Sequence, residues 1–390
     1  MLIGQRITVL GAGIAGLTVA IALARRGAQV TVLEQAEAIR EVGAGLQISP
    51  NGATVLKALG LGDELTRIGT RAAGVVLYDG LGGGPVLRMD LIRQRPDQPY
   101  VFVHRADLIE MLANAARASG VQVRLLQQVT EVTLGDHPPR LKTAQGALSE
   151  APLLVGADGL HSPVRAALNG RVAPFFTRQV AWRALIPCAP NEPRVAEVFM
   201  GPGRHLVSYP LRHGALRNIV AVEERHRWAD ESWSATDDPL ALGLAFQAFC
   251  PRVRGWLDQV QAVNIWGLFR HPVAARWHGH GAVILGDAAH PTLPFLAQGA
   301  NMALEDAWVL AAQLAAHDSA EAAFASYQRA REARVARIVE AATANARNYH
   351  LRGAIRPMAH LALRVAGTLA PDFALRRFDW IYDHDVTLPA

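Results

Sequence analysis

The sequence predicts an α/β fold in which a doubly wound, parallel-sheet domain receives an inserted mixed β-sheet domain and ends in helices. Three observations predict it. A β-branched strand, a glycine-rich turn and an alanine-rich helix follow one another near the N-terminus. Short β-rich runs replace this alternation in the middle of the chain. A buried strand and long helices then return before the C-terminal end.

The first unit is the clearest. Arg6–Leu10 (RITVL) predicts a buried parallel strand, and Gly11–Gly16 predicts a tight turn. Leu17–Arg26 predicts a helix that ends at Gly27, and Ala28–Leu33 predicts the next strand. A βαβ unit of about 30 residues is the smallest nucleotide-binding half of a doubly wound sheet.

The later elements are predicted by the same patterns. Val75–Val86 and the glycine run Gly80–Gly84 predict a hairpin and its tip. Further strands are predicted at Val121–Leu125, Leu153–Gly156, Val180–Ile186, Val195–Phe199, His205–Leu211, Asn218–Glu223 and Ala282–Leu285. Further helices are predicted at Arg105–Ser119, Pro239–Cys250, Ala300–Ala316 and Ala320–Ala346.

Composition narrows the class of protein. The chain has 390 residues, 51% hydrophobic and 19% charged, which is typical of a globular protein with two or three domains. Its two cysteines, Cys188 and Cys250, offer neither a disulfide framework nor a zinc site, and the 14 histidines show no ligand spacing. We therefore expect no metal site and a reducing, cytoplasmic location.

The charge pattern argues against a nucleic-acid partner. The formal net charge is +5, and lysine occurs only at positions 57 and 142. The arginines are scattered rather than clustered with aromatic residues, and their excess favours an anionic substrate and cofactor. The apolar run Ile7–Ala24 contains three glycines and fits a strand, turn and helix better than a membrane span.

The turn carries the motif GxGxxG, in which Gly11 permits the turn, Gly13 admits a pyrophosphate and Gly16 lets helix and strand approach. The phosphate would sit at the helix N-terminus. Glu34 ends the second strand 18 residues after Gly16, where an acid accepts hydrogen bonds from a ribose diol. These residues predict dinucleotide binding.

Two later loops favour FAD over NAD. The loop Gly156–Gly159, with Asp158, follows a predicted strand, and Asp287 lies in a second strand–Gly–Asp turn some 270 residues after the first motif. Asp287 either hydrogen-bonds the ribityl chain or caps a helix. The helix N-terminus at Gly299, Ala300 and Asn301 is expected to face the flavin's pyrimidine edge, where its dipole stabilises the reduced anion.

Together these motifs resemble those of the group A flavoprotein aromatic hydroxylases over about residues 5–350, and most closely the salicylate hydroxylase and 3-hydroxybenzoate 6-hydroxylase branch. Local matches are residues 43–48 (GAGLQI), 104–108 (HRADL), 181–183 (AWR) and 205–211 (HLVSYPL). The resemblance implies non-covalent FAD, reduction by NADH or NADPH without a second nucleotide domain, and molecular oxygen as the other co-substrate. A flavin C4a-hydroperoxide would then attack an electron-rich ring.

The resemblance also assigns residues to the cofactor. It implies that Arg105 contacts the FAD backbone, that Val129 lies near the adenine, and that Pro291 lies at the reactive edge of the flavin ring. Asp158 belongs to a loop near the cofactor in that family. We therefore expect a Rossmann-like FAD-binding domain of residues 1–74, 98–178 and 275–350, a substrate domain of residues 75–97 and 179–274, and a C-terminal helical segment of residues 351–390.

A histidine is the candidate base. A phenol becomes more nucleophilic when a base draws its proton, and imidazole suits this because its pKa lies near neutral pH. His205 lies on a predicted strand where the branch keeps a histidine facing the flavin, so it is either this base or an ordinary strand histidine. Tyr209, four residues on, shares its face by strand alternation and is either a pocket residue or a core residue.

Three further residues are candidates for substrate binding. The resemblance places Gln47 in the pocket. Arg183 either pairs with a substrate carboxylate or has a surface or structural role. Pro294 replaces a glutamine of the hydroxybenzoate 6-hydroxylases and has no side-chain donor or acceptor. This departure leaves open whether hydroxybenzoate itself is the substrate.

Other functions stay open at this level. A bulkier quinone, polyketide or isoprenoid could be hydroxylated or epoxidised on the same scaffold. A dehydrogenase that reacts poorly with oxygen, or a non-catalytic sensor or interaction module, would use the same fold. The arginine-rich segment after His350 fits a helix that closes the substrate domain, a homodimer contact, or a basic helix lying on a membrane.

Overall fold

A computed structural model describes residues 2–39, 44–189, 191–225 and 235–388. Its strands, in chain order, are β1 (Arg6–Leu10), β2 (Gln29–Leu33), β3 (Gly45–Ile48), β4 (Thr70–Arg71), β5 (Gly74–Asp79), β6 (Pro85–Asp90), β7 (Val101–His104), β8 (Gln122–Arg124), β9 (Val129–Thr133), β10 (Arg140–Thr143), β11 (Leu148–Glu150), β12 (Leu154–Gly156), β13 (Phe175–Pro187), β14 (Val195–Gly201), β15 (Arg204–Leu211), β16 (Leu216–Glu224), β17 (Thr236–Asp237), β18 (Val263–Arg270), β19 (His278–Gly279) and β20 (Ala282–Ile284).

Its α-helices are α1 (Ile14–Ala24), α2 (Pro50–Ala58), α3 (Gly62–Ile68), α4 (Leu91–Gln94), α5 (Arg105–Ala118), α6 (Pro163–Asn169), α7 (Pro239–Ala245), α8 (Pro251–Leu257), α9 (Gly299–Ala316), α10 (Ala320–Tyr349), α11 (Ile355–Leu369), α12 (Phe373–Arg376) and α13 (Asp379–Tyr382). Short 3₁₀ turns lie at Arg212–Gly214, Gly286–Ala288 and Pro294–Leu296. No helix in the described ranges combines the length and apolarity that a membrane crossing needs.

A six-stranded sheet in the order β19-β20-β12-β1-β2-β8 forms the half of the protein that the sequence predicts to bind a nucleotide, called here the nucleotide-binding half. All its neighbours run parallel except β19 and β20. The predicted βαβ unit is confirmed, although α1 begins at Ile14 because the glycine turn runs directly into the helix. α1 is almost wholly buried, and three of the five residues of β1 are buried, as expected where helices cover both faces of a parallel sheet.

An eight-stranded sheet in the order β17-β18-β13-β16-β15-β14-β5-β6 confirms the predicted mixed sheet. Its neighbours are antiparallel except β14 and β5. β5 and β6 form the expected hairpin and join strands that come about 100 residues later, so the chain enters this sheet twice. The predicted boundaries between domains stay a prediction.

One predicted helix is wrong. The segment 239–250 does not form a single helix, because α7 ends at Ala245 and the next helix, α8, begins only at Pro251. Cys250 precedes that proline and has the extended angles φ −56° and ψ 156°. A proline ring disfavours helical angles in the residue before it, so the chain turns here and starts a second helix.

The register of the large sheet decides which side chains share a face. His205 lies opposite Val222, which lies opposite Ala181, and Val207 lies opposite Val220, which lies opposite Arg183. Directly opposed residues in antiparallel strands point to the same side. His205, Arg183 and Tyr209 therefore lie on one face of the sheet.

The two faces of this sheet pack differently. On the opposite face, Trp182 and Phe199 pack with Phe246 and Trp256, which belong to the α7–α8 region. On the His205 face, Ala181, Val222 and Trp266 pack with Leu293 and Phe295, from the loop after β20. The His205 face therefore looks onto the nucleotide-binding half.

Two smaller sheets and the C-terminal helices complete the fold. β3, β7 and β4 form one three-stranded sheet, and β11, β10 and β9 form another. The predicted long helix at 320–346 is confirmed as α10, and α11 packs against β6. Arg356 pairs with Asp79, and Nε of Arg364 donates to the carbonyl of Pro85.

Candidate active site

The glycine loop has the geometry that its motif predicts. Gly11 has φ 94°, and a Cβ on Gly16 would lie 1.9 Å from the carbonyl oxygen of Gly11. A Cβ on Gly13, by contrast, would meet no atom within 4 Å. The first and third glycines are therefore required by packing, whereas the second borders open space at the start of α1.

Glu34 lies beside this loop. Its Oε2 accepts a hydrogen bond from the amide of Ala12 at 2.7 Å, and its Oε1 accepts one from the amide of Ala36 at 2.9 Å. The carboxylate is half-buried at the end of β2. It therefore stands next to the glycine motif, where a ribose would lie if a dinucleotide pyrophosphate occupied the start of α1.

Asp287 lies close to this loop, because the preceding Gly286 packs against Ala15 at the start of α1, and it interacts electrostatically with Arg105. The Asp287 side chain is accessible to solvent, yet burial raises the pKa of its carboxyl, while His290 and Arg105 act in the opposite direction. Because the Asp287 carboxyl reaches solvent and is nevertheless largely surrounded by protein, it lies at the bottom of a cleft. Burial lowers the pKa of the Arg105 guanidinium and Asp287 raises it, so the two charges stabilise each other across the cleft.

The turn that carries Asp287 is held from two sides. Nη1 of Arg165 donates to the carbonyls of Ala288 and Ala289 at 3.1 and 3.3 Å. Oδ2 of Asp306 accepts from the amide of Gly286 at 3.0 Å and from Nε2 of His290 at 2.5 Å. Sequence analysis missed Arg165 and Asp306, because neither belongs to a recognisable motif.

The N-terminus of α9 is tied to β3 and α2 by buried amides. Oδ1 of Asn301 accepts from the amide of Ser49, and its Nδ2 donates to the carbonyl of Gln47, both at 3.0 Å. Both polar groups of the Asn301 side chain are thus occupied by hydrogen bonds within the protein. The half-buried backbone of Gly299 and Ala300 is left at the helix end, where unpaired amides and the helix dipole favour an anion.

Asp158 is a half-buried acid in the loop before α6. Its Oδ2 accepts a long hydrogen bond of 3.5 Å from the amide of Val164, and its Oδ1 has no hydrogen-bond partner among the described residues. Burial raises the pKa of this carboxyl to about 6. An orphaned oxygen at the end of β12, next to β1, suits a bound polar ligand better than a closed core.

The candidate substrate residues form a second group. Oε1 of Gln47 accepts from the hydroxyl of Tyr100 at 2.7 Å, and the Tyr209 ring stacks on Phe102 at 5.0 Å. Cζ of Arg183 lies 4.9 Å from the centre of the Trp266 ring. Burial lowers the pKa of Arg183 to about 10, with Tyr209 raising it and Arg105 lowering it, so Arg183 stays a cation at neutral pH.

His205 is fully buried on the same face. Its Nδ1 lies 2.7 Å from Nε2 of His350, and Nδ1 of His350 lies 2.9 Å from Oε1 of Glu224. Its ring packs against Tyr349 and Phe295 at 5.1 and 5.5 Å. Burial, with a smaller effect of His350, lowers the pKa of His205 well below its usual range, so the imidazole is neutral. Sequence analysis missed His350 and Glu224.

The remaining predicted residues differ in exposure. Pro291 is buried at the end of the Asp287 turn, Pro294 is exposed at the start of a 3₁₀ turn, and Val129 is half-buried in β9. The loop from Pro291 to Phe295 thus links the Asp287 cleft to the His205 face. The open start of α1, the cleft acid and the α9 N-terminus together fit an elongated, anionic cofactor whose ring end would reach this loop.

Comparisons with known proteins give the family. Residues 5–342 match the FAD binding domain family. The chain is 37% identical over 356 residues to 3-amino-4-hydroxybenzoate 2-monooxygenase of Streptomyces cremeus, covering 89% of this chain and 88% of that protein. It is 34% identical to 3-hydroxybenzoate 6-hydroxylase of Polaromonas naphthalenivorans, covering 90% and 89%.

A solved structure agrees. Klebsiella pneumoniae HpxO complexed with FAD and uric acid superposes with a TM-score of 0.81 at 25% identity, covering 94% of both chains. The family match spans most of the chain, and both curated relatives exceed 30% identity over most of their length. The chain therefore belongs to the FAD binding domain family and is an FAD-dependent monooxygenase of the aromatic hydroxylase type.

Proposed function

We propose that the enzyme hydroxylates a small phenol that carries a carboxylate, with NADH or NADPH as reductant, molecular oxygen as oxidant and His205 as the base. The observation that carries this proposal is the shared face of His205 and Arg183. Two strand spacings, roughly 10 Å, separate their strands. A neutral imidazole and a cation on one face can engage the two ends of a single aromatic ring.

The relatives support the choice of substrate class. The two curated relatives act, by their names, on benzoates that carry a ring hydroxyl. Such a substrate offers a carboxylate to Arg183 and a phenol proton to His205. Pro294 supplies no side-chain hydrogen bond, so the position and kind of the other ring substituents differ from those that a glutamine would select.

The roles of the protein groups follow from their chemistry. FAD, when bound and reduced, supplies the activation of oxygen. Gly11, Gly13 and Gly16 would admit its pyrophosphate, Glu34, Arg105, Asp158 and Asp287 would hold its polar chain, and Val129 would lie near the adenine. Arg183 orients the substrate carboxylate through a charge-assisted hydrogen bond.

The pocket walls and the base complete the reaction geometry. Leu293, Phe295 and Trp266 form an apolar wall that excludes water from the substrate ring. Pro291 would lie at the edge of the flavin. Gln47 and Tyr209 border the pocket from the other side. His205 accepts the phenol proton at Nε2, which raises the electron density of the ring where oxygen enters.

A substrate panel tests the proposal. NADH and NADPH oxidation, oxygen uptake and product mass would be measured with hydroxybenzoates, aminohydroxybenzoates, hydroxypyridine carboxylates, uncharged phenols and a quinone precursor. We expect the highest kcat/KM for coupled hydroxylation, with one oxygen atom added, on rings that carry both hydroxyl and carboxylate, and much lower values for uncharged phenols. Preferred turnover of the quinone precursor, or oxidation of NAD(P)H with only peroxide released, would contradict it.

A His205→Gln variant tests the base. We expect it to keep its FAD and its affinity for benzoate, and to lose hydroxylation by about 10²–10⁴-fold, the usual contribution of a general base. Val207→Ala, on the same strand and face, serves as the matched control because it shortens a side chain without removing a proton acceptor. Unchanged coupled turnover in His205→Gln would remove His205 from the mechanism.

We further propose that the protein is cytoplasmic and forms a homodimer through α11. Exposed apolar side chains recur along this helix, namely Ile355, Met358, Leu361, Val365 and Leu369. An apolar stripe of this kind marks an interaction surface. Sedimentation of the wild-type enzyme and of a Met358→Glu/Leu361→Glu variant would test it, and an unchanged oligomeric state would overturn it.

A further inference from the structure

We propose that His350 and Glu224 form, together with His205, a proton relay that fixes the tautomer of the base and carries the phenol proton from the active site to the protein surface. This inference rests on the proposed function. It adds two positioning residues, from the end of α10 and the end of β16, that no sequence motif indicates.

The relay is a continuous chain of hydrogen bonds. His205 Nδ1 and His350 Nε2 are 2.7 Å apart, and His350 Nδ1 and Glu224 Oε1 are 2.9 Å apart. The side chains of His205 and His350 are almost wholly buried, whereas 38% of the Glu224 side chain is exposed. The relay therefore begins inside the protein and ends at the solvent-exposed surface.

Glu224, at the end of the relay, determines the position of every proton in it. A carboxylate only accepts hydrogen bonds, so Nδ1 of His350 carries the proton that Glu224 accepts. Neutral His350 then has a bare Nε2, and Nδ1 of His205 donates to it. Neutral His205 is left with a bare Nε2, which forms no hydrogen bond among the described residues. This nitrogen is the one free to accept the phenol proton.

The surrounding charges favour this arrangement. The charged groups around His350 are Glu224 on β16, Arg204 on β15 and Arg352, two residues further along the chain. Burial lowers the pKa of His350, and Glu224 raises it in part. The hydrogen bonds from His350 and Arg352 outweigh burial and keep the pKa of Glu224 below its usual range. Glu224 therefore stays a carboxylate at neutral pH.

The transfer balances without a further reactant. The phenol O–H bond breaks and a proton joins Nε2 of His205. The Nδ1 proton of His205 moves to Nε2 of His350, and the Nδ1 proton of His350 moves to Glu224, which releases it to water. Phenolate remains in the pocket and one proton reaches solvent. The reverse transfers restore the original tautomers when product leaves.

The test uses 4-hydroxy-3-nitrobenzoate, a phenol whose phenolate absorbs visible light, mixed with the FAD-loaded enzyme at a pH low enough that the free phenol keeps its proton. Ionisation of the bound probe is followed by absorbance, and proton release by an indicator dye in weakly buffered solution. His350→Gln and Glu224→Gln are compared with Glu223→Gln. Glu223 is the neighbouring acid on β16, faces the other side of the strand and pairs with Arg204 and Arg225.

We expect the wild type and Glu223→Gln to ionise the probe and release its proton together. In His350→Gln and Glu224→Gln, proton release should slow by about ten-fold or more, and the pH at which the bound probe ionises should rise by about one unit. Affinity for benzoate, which has no phenol proton, and FAD content should stay within about two-fold in every variant, because the relay acts only on a proton.

The outcomes separate the two proposals. A wild-type enzyme that binds the probe without ionising it would overturn His205 as base, and with it the proposed function. A wild type that ionises the probe, together with variants that do so equally fast and at the same pH, would overturn the relay alone. Loss of benzoate binding in the variants would also overturn it, since it would assign His350 and Glu224 a purely structural role.

Discussion

Asp306 holds the imidazole of His290 at 2.5 Å and, with the same oxygen, the amide of Gly286 at 3.0 Å. Its other oxygen accepts from Nε of Arg331 at 2.8 Å. Although burial by itself raises the pKa of this carboxyl, His290 and Arg331 lower it to about 2. A charge on α9 thus fixes both ends of the turn that carries Asp287.

Replacing Asp306 by Asn should therefore weaken both the fold and the cofactor site. Arg331 keeps its ion pair with Glu305, but it and His290 both lose their hydrogen bonds to a buried carboxylate, which costs about 1.5–3 kcal/mol of unfolding free energy. The freed turn should also lower FAD affinity. Urea unfolding of the apoprotein and FAD titration by fluorescence measure the two effects. The exposed Asp318→Asn is the control, and wild-type values for Asp306→Asn would contradict the assignment.

Two substitutions in the glycine loop should distinguish residues needed for packing from residues needed for FAD binding. Gly16→Ala should destabilise the apoprotein by about 1–3 kcal/mol or more, because its Cβ would collide with the backbone oxygen of Gly11. Gly13→Ala meets no atom within 4 Å and should leave the apoprotein as stable as the wild type, yet bind FAD more weakly. Thermal unfolding of apoprotein and FAD titration distinguish the two. Unchanged FAD affinity in Gly13→Ala would show that the cofactor lies elsewhere.

Arg183 should determine affinity for a charged substrate. Loss of a hydrogen bond to a charged group costs about 1.5–3 kcal/mol, so Arg183→Gln should raise KM for a hydroxybenzoate about 10- to 100-fold. Turnover of an uncharged phenol should be unchanged, and Arg183→Lys should recover part of the loss. Steady-state kinetics with both substrates measure this, with the exposed Arg171→Gln as control. An equal loss for both substrates would assign Arg183 a structural role.

Asp158 should make stability depend on pH. Its pKa is about 6 in the folded protein, against an ordinary value of 3.8. An acid whose pKa is higher in the folded than in the unfolded protein favours folding at pH values below its unfolded pKa. This contribution to stability is lost as the pH rises through about 6. The two values differ by about two units, so the loss is at most about 3 kcal/mol.

The Asp158→Asn variant, which stays neutral, reveals this dependence. Relative to it, the wild-type apoprotein should lose stability between about pH 4 and pH 6 and then change no further. Urea unfolding of both proteins from pH 4 to pH 8 measures the difference. A difference that is constant with pH would mean that Asp158 ionises normally and that its environment is polar.

Several candidate site residues could be proposed from the sequence because their signal is local. Gly11, Gly13, Gly16 and Glu34 belong to a motif whose spacing follows from one turn and one βαβ unit. The face shared by His205 and Tyr209 follows from the two-residue period of a strand. Asp287 was also identified from a local signal, because it lies in a strand–Gly–Asp turn.

Other residues could not be found this way. His350 lies 145 positions after His205, and Arg165 reaches carbonyls more than 120 positions away. Asp306 and Arg331 lie inside helices whose pattern shows only that they are amphipathic or buried. Such contacts depend on how elements distant in the chain pack, and no local periodicity reports them.

Short-range backbone preferences and hydrophobic alternation were enough to specify the class of fold, the nucleotide loop and the strands of the second sheet. The partners of the functional side chains emerged only from the folded chain: which nitrogen of His205 is engaged, which acid holds the Asp287 turn, and that Arg183 shares the His205 face across β16. Strand register and helix packing set these distances, and both result from folding of the whole chain.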